Sequence, residues 1–262
     1  MRAMKHAYFI TATGTDLGKT WLTAGLARAC RARGVHVRAL KPVMSGYDAA
    51  NPRASDAGVL LESTGPENIG SGNAGPQKVG TGDTVESIAP WRFKAPLSPD
   101  RAAAIEGSEI DFDELVAWCR AQIARKSDGD GDDGGVLLIE GIGGVMVPLD
   151  ARHTVRELIA ALGIPTVLVT GSYLGSLSHT LTALAALREA GIVPAGVVLN
   201  ESRSESRSES ASSAAHGAVS LDDAAASLAP HLGAVPLWVM RRDDMAGIQR
   251  IADLLIGNGT VA

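Results

Sequence analysis

Short apolar runs alternate with helix-period stretches along most of this chain. The runs Tyr8–Thr11, Val35–Leu40, Val136–Ile139, Thr166–Val169, Gly196–Leu199 and Ala234–Leu237 are mostly continuous rather than alternating. That is the pattern of parallel strands covered on both faces. Helical patterns lie at Lys19–Arg33, Phe112–Arg125, Val155–Leu162, Ser178–Ala190 and Leu221–Leu228. Three of them run into a glycine (Gly34, Gly163, Gly191), the residue that best tolerates a left-handed helix cap. The alternation predicts a doubly wound, mostly parallel α/β sheet with helices on both faces. Ligands in such sheets bind beyond the carboxyl ends of the strands.

Three segments break the pattern. Gly65–Asp83 is rich in Gly, Ser and Asn, Ser127–Gly135 in Gly and Asp, and from Glu201 to about residue 214 the chain turns Ser-rich, repeating Glu-Ser-Arg-Ser up to Ser210. They read as solvated loops inside one domain spanning 1–262, because the same α/β alternation continues on either side of each. A hydrophobic content of 45% suits an Ala/Val/Leu-packed enzyme, and a net charge of -5 offers no general attraction to nucleic acid or anionic membranes. No apolar run is long enough to span a bilayer, and the first strand begins almost at once without a secretory segment, so a cytoplasmic location is expected. Cys30 and Cys119 both fall in helical stretches and read as small buried hydrophobes.

The chemistry concentrates at predicted strand ends. Tyr8–Thr11 opens into Ala12-Thr13-Gly14-Thr15-Asp16-Leu17-Gly18-Lys19-Thr20, followed by a helix with Leu22, Leu26 and Ala29 on one face. Strand, small-residue loop, Gly-Lys-Thr and helix is the layout of a phosphate-binding P-loop. There backbone N–H groups cradle phosphate oxygens, the lysine neutralises charge and the hydroxyl ligates magnesium. The spacing is irregular, since Thr13 stands where the usual motif has glycine; read alone, Gly14 and Gly18 serve equally as turn glycines. Val136–Ile139 ends in Glu140-Gly141-Ile142-Gly143-Gly144, a carboxylate at a strand tip where P-loop proteins orient Mg2+. Lys41-Pro42-Val43-Met44-Ser45-Gly46 closes the second strand with a lysine and a hydroxyl, and Ser55-Asp56-Ala57-Gly58 adds a second carboxylate, either a metal ligand or a first-turn helix residue. Pro96-Leu97-Ser98-Pro99-Asp100 looks like a helix start with Ser98 as N-cap. Asn200, after Val197–Leu199, is either a turn residue or a reader of a base edge.

In this order, and over nearly the whole chain outside the three loops, these segments resemble the dethiobiotin synthetases, which belong among the P-loop NTPase-like folds. Leu174-Gly175-Ser176-Leu177-Ser178-His179-Thr180 and Ala195–Asn200 extend the match, and the family's loop has one residue more than usual between its glycines, as here. One departure is Ala12, where the family commonly has glycine. The resemblance implies ATP- and Mg2+-dependent carboxylation of 7,8-diaminopelargonate by CO2, through a carbamate and a carbamic–phosphoric anhydride, to give dethiobiotin, ADP and phosphate. It assigns Thr20, Asp56 and Glu140 to Mg2+, and Lys19, Lys41 and Thr15 to catalysis. Nucleotide contacts fall to Asp16, Leu17, Gly18, Lys19, Thr20, Trp21, Asp56, Glu140, Gly141, Ile142, Gly143, Asn200 and Pro236, with Asn200 reading adenine. Substrate contacts fall to Lys41, Ser45, Gly175 and Ser176, the last two through a homodimer in which the substrate's tail reaches the partner subunit.

The competing readings are a cobyrinate-type amidoligase, a partition ATPase of the MinD/ParA type, and a nucleotide-binding module that has lost activity. The first generally adds a glutaminase domain with a nucleophilic cysteine, for which this chain is too short. The second carries an early P-loop lysine where Gly14 stands, and often a basic membrane-binding tail that Leu254–Ala262 does not resemble. Against the third stand the retained lysines, hydroxyl and carboxylates.

Overall fold

The computed structural model describes residues 6–65, 82–125, 135–202 and 219–257, so most of each low-complexity segment lies outside the described residues. Strands β1 (His6–Ala12), β2 (Val37–Leu40), β3 (Val43–Met44), β4 (Trp91–Arg92), β5 (Val136–Glu140), β6 (Thr166–Gly171), β7 (Gly196–Asn200) and β8 (Leu237–Met240) are joined by helices. These are α1 (Lys19–Ala32), α2 (Asp56–Thr64), α3 (Val85–Ile88), α4 (Pro99–Ile105), α5 (Phe112–Ala124), α6 (Val155–Leu162), α7 (Ser176–Glu189), α8 (Leu221–Leu228) and α9 (Met245–Gly257). The main sheet has the order β2-β5-β1-β6-β7-β8, with every pair parallel, and β3 and β4 form a separate two-stranded ribbon.

This order follows from the apolar runs. Every residue of β2, β5, β6 and β7 is buried, which leaves neither face for water. The chain steps from β1 toward β2 in one direction and from β6 through β7 to β8 in the other. Right-handed crossovers therefore set the connecting helices on opposite faces, and the reversal falls at β1. Leu40, Glu140, Ala12, Gly171, Asn200 and Met240 end their strands in one row along the carboxyl edge, as the registers Leu40↔Ile139, Ile10↔Glu140, Ala12↔Val169, Gly171↔Asn200 and Asn200↔Met240 require.

Helix ends follow local sequence. Thr154 caps α6 in a capping box with Glu157, Ser55 caps α2 by accepting from the Gly58 amide, and Asp111 caps α5 by accepting from the Glu114 amide. Gly34, Gly163 and Gly191 take positive φ of 74°, 62° and 73°, as their places after α1, α6 and α7 predict.

Several expectations need correction. β2 begins at Val37 rather than Val35, and α7 at Ser176 rather than Ser178. The last strand lies at Leu237–Met240, later than Ala234–Leu237, because Gly233, at φ 62°, still belongs to the turn before it. Helix α9 was not expected; it lays Ile248, Ile251, Ala252 and Leu255 in the core, and the Tyr8 hydroxyl donates to the Leu255 carbonyl (2.7 Å). Ser98 occupies the N-cap of α4 but makes no side-chain capping bond. Cys30 and Cys119 are buried, and burial pushes their thiols up to about 11 and about 12, so neither is a nucleophile at neutral pH.

Candidate active site

The loop from Thr13 to Gly18 leaves β1 and leads into the N-terminus of α1, the end of a helix that favours anions. Ala12 is still a buried strand residue whose carbonyl accepts from the Val145 amide (2.9 Å), and its φ is not positive. A methyl is accommodated there, so the departure from glycine does not disturb the loop. Asp16 and Gly18 take positive φ of 57° and 88°. At Gly18 a Cβ would stand 2.7 Å from Asn200 Nδ2, which adds a steric reason for glycine to the conformational one. Lys19 and Thr20 form the first turn of α1, and Lys19 Nζ curls back to donate to the Gly14 carbonyl (3.1 Å). Thr15 and Asp16 are exposed at the loop's tip, Leu17 lies beside Gly171, and Trp21 packs partly into the core.

The charged group assembles beside this loop from three elements. Thr20 Oγ1 donates to Glu140 Oε1 (2.7 Å), and the Asp56 carboxylate also lies within its reach. Lys41 Nζ sits between the two acids, 2.6 Å from Glu140 Oε1 and 2.9 Å from Asp56 Oδ2, and donates to the Gly141 carbonyl (3.0 Å). The main chain at Lys41 is held as well, its N–H donating to Ile88 O (3.0 Å).

Burial opposes the Lys41 ammonium, but the Glu140 and Asp56 carboxylates hold its pKa above the ordinary lysine value. Burial also works against the Asp56 carboxylate; Lys41, then Thr20 and Lys19, bring its pKa below the usual carboxylate range. Lys19 is pushed down to about 8 by burial and by the nearby Lys41 charge, against the pull of Glu140, Asp56 and Asp16. One site thus holds a firmly charged lysine and a second lysine whose proton is loosely held.

Glu140 is fully buried, and its Oε2 has no hydrogen-bond partner. Such an orphaned carboxylate oxygen beside a hydroxyl and a second carboxylate fits a divalent cation. Among the described residues no cluster of three or more His, Cys, Asp or Glu forms a full protein cage. Mg2+ does not need one: it is commonly held by one or two carboxylates, waters and substrate phosphates.

The remaining predicted residues divide. Gly141, Gly143 and Gly144 pack where side chains would collide, a Cβ at Gly141 meeting Phe9 Cε1 at 2.9 Å and one at Gly144 meeting Thr13 backbone at 3.0 Å. Ile142 is half-buried and lines a small apolar cavity with Phe9, Pro42 and Leu149. Asn200 ends β7 over the loop, its Nδ2 donating to the Leu17 carbonyl (2.7 Å) while Oδ1 is buried without a partner. Ser45 is half-buried after β3, in a turn where the Gly46 amide donates to Ala95 O (3.1 Å), so the Lys41–Gly46 stretch and the Pro96–Asp100 stretch are neighbours. Gly175, at φ 93°, and buried Ser176 open α7. Pro236 is not brought into this group. It precedes β8 at the opposite edge of the sheet, its carbonyl accepting from Val197, and four residue steps of about 3.3 Å each separate it from Met240.

Two features escaped the reading of the sequence. Arg38 lies inside buried β2 and binds Asp83 through Nε (2.9 Å) and Nη2 (3.0 Å), anchoring the chain before α3, whose Ile88 carbonyl holds Lys41. Thr170, in the apolar run of β6, is buried and bonded to other hydroxyls. The signal in each case was a polar residue inside a continuous apolar strand.

Comparisons with known proteins agree with this geometry. An AAA domain family model matches residues 6–238. The chain is 46% identical over 233 residues to the ATP-dependent dethiobiotin synthetase BioD of Acidiphilium cryptum, covering 89% of this chain and 91% of that one. It is 40% identical to the protein of the same name from a Caulobacter species, over 95% and 94% of the two chains. The like-named protein of Phenylobacterium zucineum is 37% identical over 91% and 90%. Solved structures match more loosely, among them the cell division ATPase MinD of Pyrococcus furiosus, with a TM-score of 0.47 and 18% identity over 94% of this chain and 88% of that one. With two lysines, two carboxylates and a hydroxyl gathered beside the loop at one sheet edge, and with such identity over most of its length, this chain belongs to the family of ATP-dependent dethiobiotin synthetases.

Proposed function

We propose that this chain, as one catalytic domain and a homodimer in the cytoplasm, closes the ring of dethiobiotin from 7,8-diaminopelargonate, CO2 and ATP. The observation that carries the reading is Lys41: a buried ammonium at a strand end, beside a phosphate loop and between two carboxylates. A switch ATPase of the MinD/ParA type carries its second lysine early in the loop itself, where this chain has Gly14. Among the described residues no helix is long and apolar enough to cross a membrane.

In the reaction one amine of the diamine adds to CO2 and loses a proton, giving a carbamate. A carbamate oxygen attacks the γ-phosphorus and ADP leaves, forming a carbamic–phosphoric anhydride. The second amine attacks the carbonyl carbon, loses a proton and expels phosphate. The protein's part is positioning and charge neutralisation, which is most of what phosphoryl transfer requires. Loop amides from Asp16 to Trp21 and Lys19 hold the phosphates, with Thr15 at the exposed tip facing the transfer. Asn200 reads the base. Thr20, Asp56 and Glu140 would hold Mg2+, which neutralises phosphate charge when bound. Lys41 stabilises the carbamate and the charge developing on the transferred phosphoryl group, and Ser45 contacts the diamine. The substrate's carboxylate tail meets the α7 start at Gly175 and Ser176 of the partner subunit, where the positive end of a helix favours an anion.

The test is ADP release in bicarbonate buffer with and without 7,8-diaminopelargonate. Strong stimulation by the diamine is expected, with dethiobiotin as product. Release indifferent to the diamine would overturn this function and leave the fold standing.

A further inference from the structure

A line of three threonine hydroxyls runs from the phosphate loop to helix α7. Thr13 Oγ1 donates to Thr170 Oγ1 (3.3 Å), the Thr170 and Thr180 hydroxyl oxygens are 2.7 Å apart, and Thr180 Oγ1 donates to the Ser176 carbonyl (2.6 Å). Thr170, Thr180 and Ser176 are all buried. A threonine bonded to the carbonyl four residues back is by itself an ordinary helix feature. The buried hydroxyl on β6, joined to both the helix and the loop, makes this one a connection between elements.

Proton counting fixes its direction. A carbonyl has no proton to give, so the single Thr180 proton goes to Ser176. Thr170 must then donate to Thr180, and Thr13 to Thr170. Each of the two inner hydroxyls accepts one bond and donates one in the same sense, an order in which successive bonds polarise one another. Thr13 has one other donor, its N–H, and that goes to the Val169 carbonyl (2.9 Å). Both Thr13 donors are therefore committed to β6, which makes this residue the loop's anchor rather than a phosphate ligand. That also accounts for a side chain where the usual motif has glycine.

We propose that Thr170 and Thr180 are positioning residues that hold Thr13, and with it the entrance of the phosphate loop, on the first turn of α7, and so set the loop's grip on nucleotide phosphates. The proposal rests on the reading of that loop as the ATP site. Because the line ends on the Ser176 carbonyl, a shift of the α7 start is passed to the loop, and a shift of the loop to α7.

The test is calorimetric titration with MgADP of the full chain and of Thr170→Val, Thr180→Val, the double valine variant, Thr170→Ser and Thr180→Ser, with nucleotide-free thermal melts alongside. Each valine should weaken MgADP binding about five-fold, the scale of one lost hydroxyl bond. The double variant should fall well short of the product of the two, about 25-fold, because both changes break the same line. Each serine variant should bind within about two-fold of the parent, since the hydroxyl is kept. A lower melting temperature with unchanged affinity would mean the threonines only pack, and overturns the proposal; so do serine variants as weak as the valines. Should a valine variant fail to fold, Thr13→Val removes the first donor at a half-buried position and is expected to show the same loss, unchanged affinity again overturning the proposal. No MgADP binding by the parent protein would overturn the reading of the loop itself, and the proposal with it.

Discussion

Lys41→Met separates the roles this lysine plays in the folded protein and in turnover. Methionine keeps an unbranched apolar stem of similar length and deletes only the ammonium. The Lys41 side chain is 3% exposed and the Glu140 side chain 0%, so the variant leaves Glu140 as a buried carboxylate without its counter-charge. Removing one partner of a buried pair typically costs about 3–5 kcal/mol. The Asp56 side chain is 45% exposed and water screens it, so it adds little. A net loss of about 3 kcal/mol lowers the melting temperature by roughly 6–12 °C in a chain of this size. Saturating Mg2+ and ADP should restore more of that loss than they add to the parent protein, because they return positive charge to the same carboxylates. Turnover should not return: losing a positioned electrostatic donor costs at least about a hundredfold in kcat. Melts with and without MgADP, and diamine-dependent ADP release, read both effects. A variant melting within about 2 °C of the parent, or turning over at near-parent rate, refutes the reasoning.

Other outcomes follow from the same geometry. Glu140→Gln and Asp56→Asn should each raise the Mg2+ concentration needed for half-maximal activity; unchanged magnesium titrations would remove them from the metal site. Lys19 titrates at about 8 in the folded protein, below its ordinary value of 10.5, so the unfolded chain binds more protons between those values and this group's contribution to stability rises across that window. Lys19→Met should be the more stable protein at pH 7, its advantage fading toward pH 10, and parallel pH–stability curves for the two proteins would contradict this. Glu157 is held down to about 2 from 4.5; burial opposes this, and its bonds to Thr154 and Arg156 outweigh burial. Its contribution is complete above pH 4.5 and is lost as pH falls through 2, so Glu157→Gln should cost roughly 1 kcal/mol at pH 7 and clearly less at pH 2, as urea melts at the two pH values would show.

The sequence made the strands legible because burial on both faces leaves continuous apolar runs, and their carboxyl ends carried Lys41, Glu140 and Asn200 in plain view. Gly18 was legible because its positive φ admits few other residues. What stayed hidden depends on distance in the fold rather than on local pattern. Helix α9 follows a short connection after β8, and its apolar face makes sense only once α1 and Tyr8 are there to receive it. Pro236 was misplaced because a strand boundary slipped by three residues, and in a strand that slip moves a residue from one edge of the sheet toward the other. Thr170 reads as one β-branched residue among several, and only the positions of Thr13 and Thr180 reveal its hydroxyl's task.

The amide of Asn200 is clamped from below. With its nitrogen donating to the Leu17 carbonyl, it keeps its oxygen buried and without a protein partner. Leu17 belongs to the loop between β1 and α1, so the amide's facing is dictated by the loop's shape. The far end of β7 and the turn into α1 therefore keep one shape between them: damage that unwinds the loop near Leu17 also releases the Asn200 amide to turn.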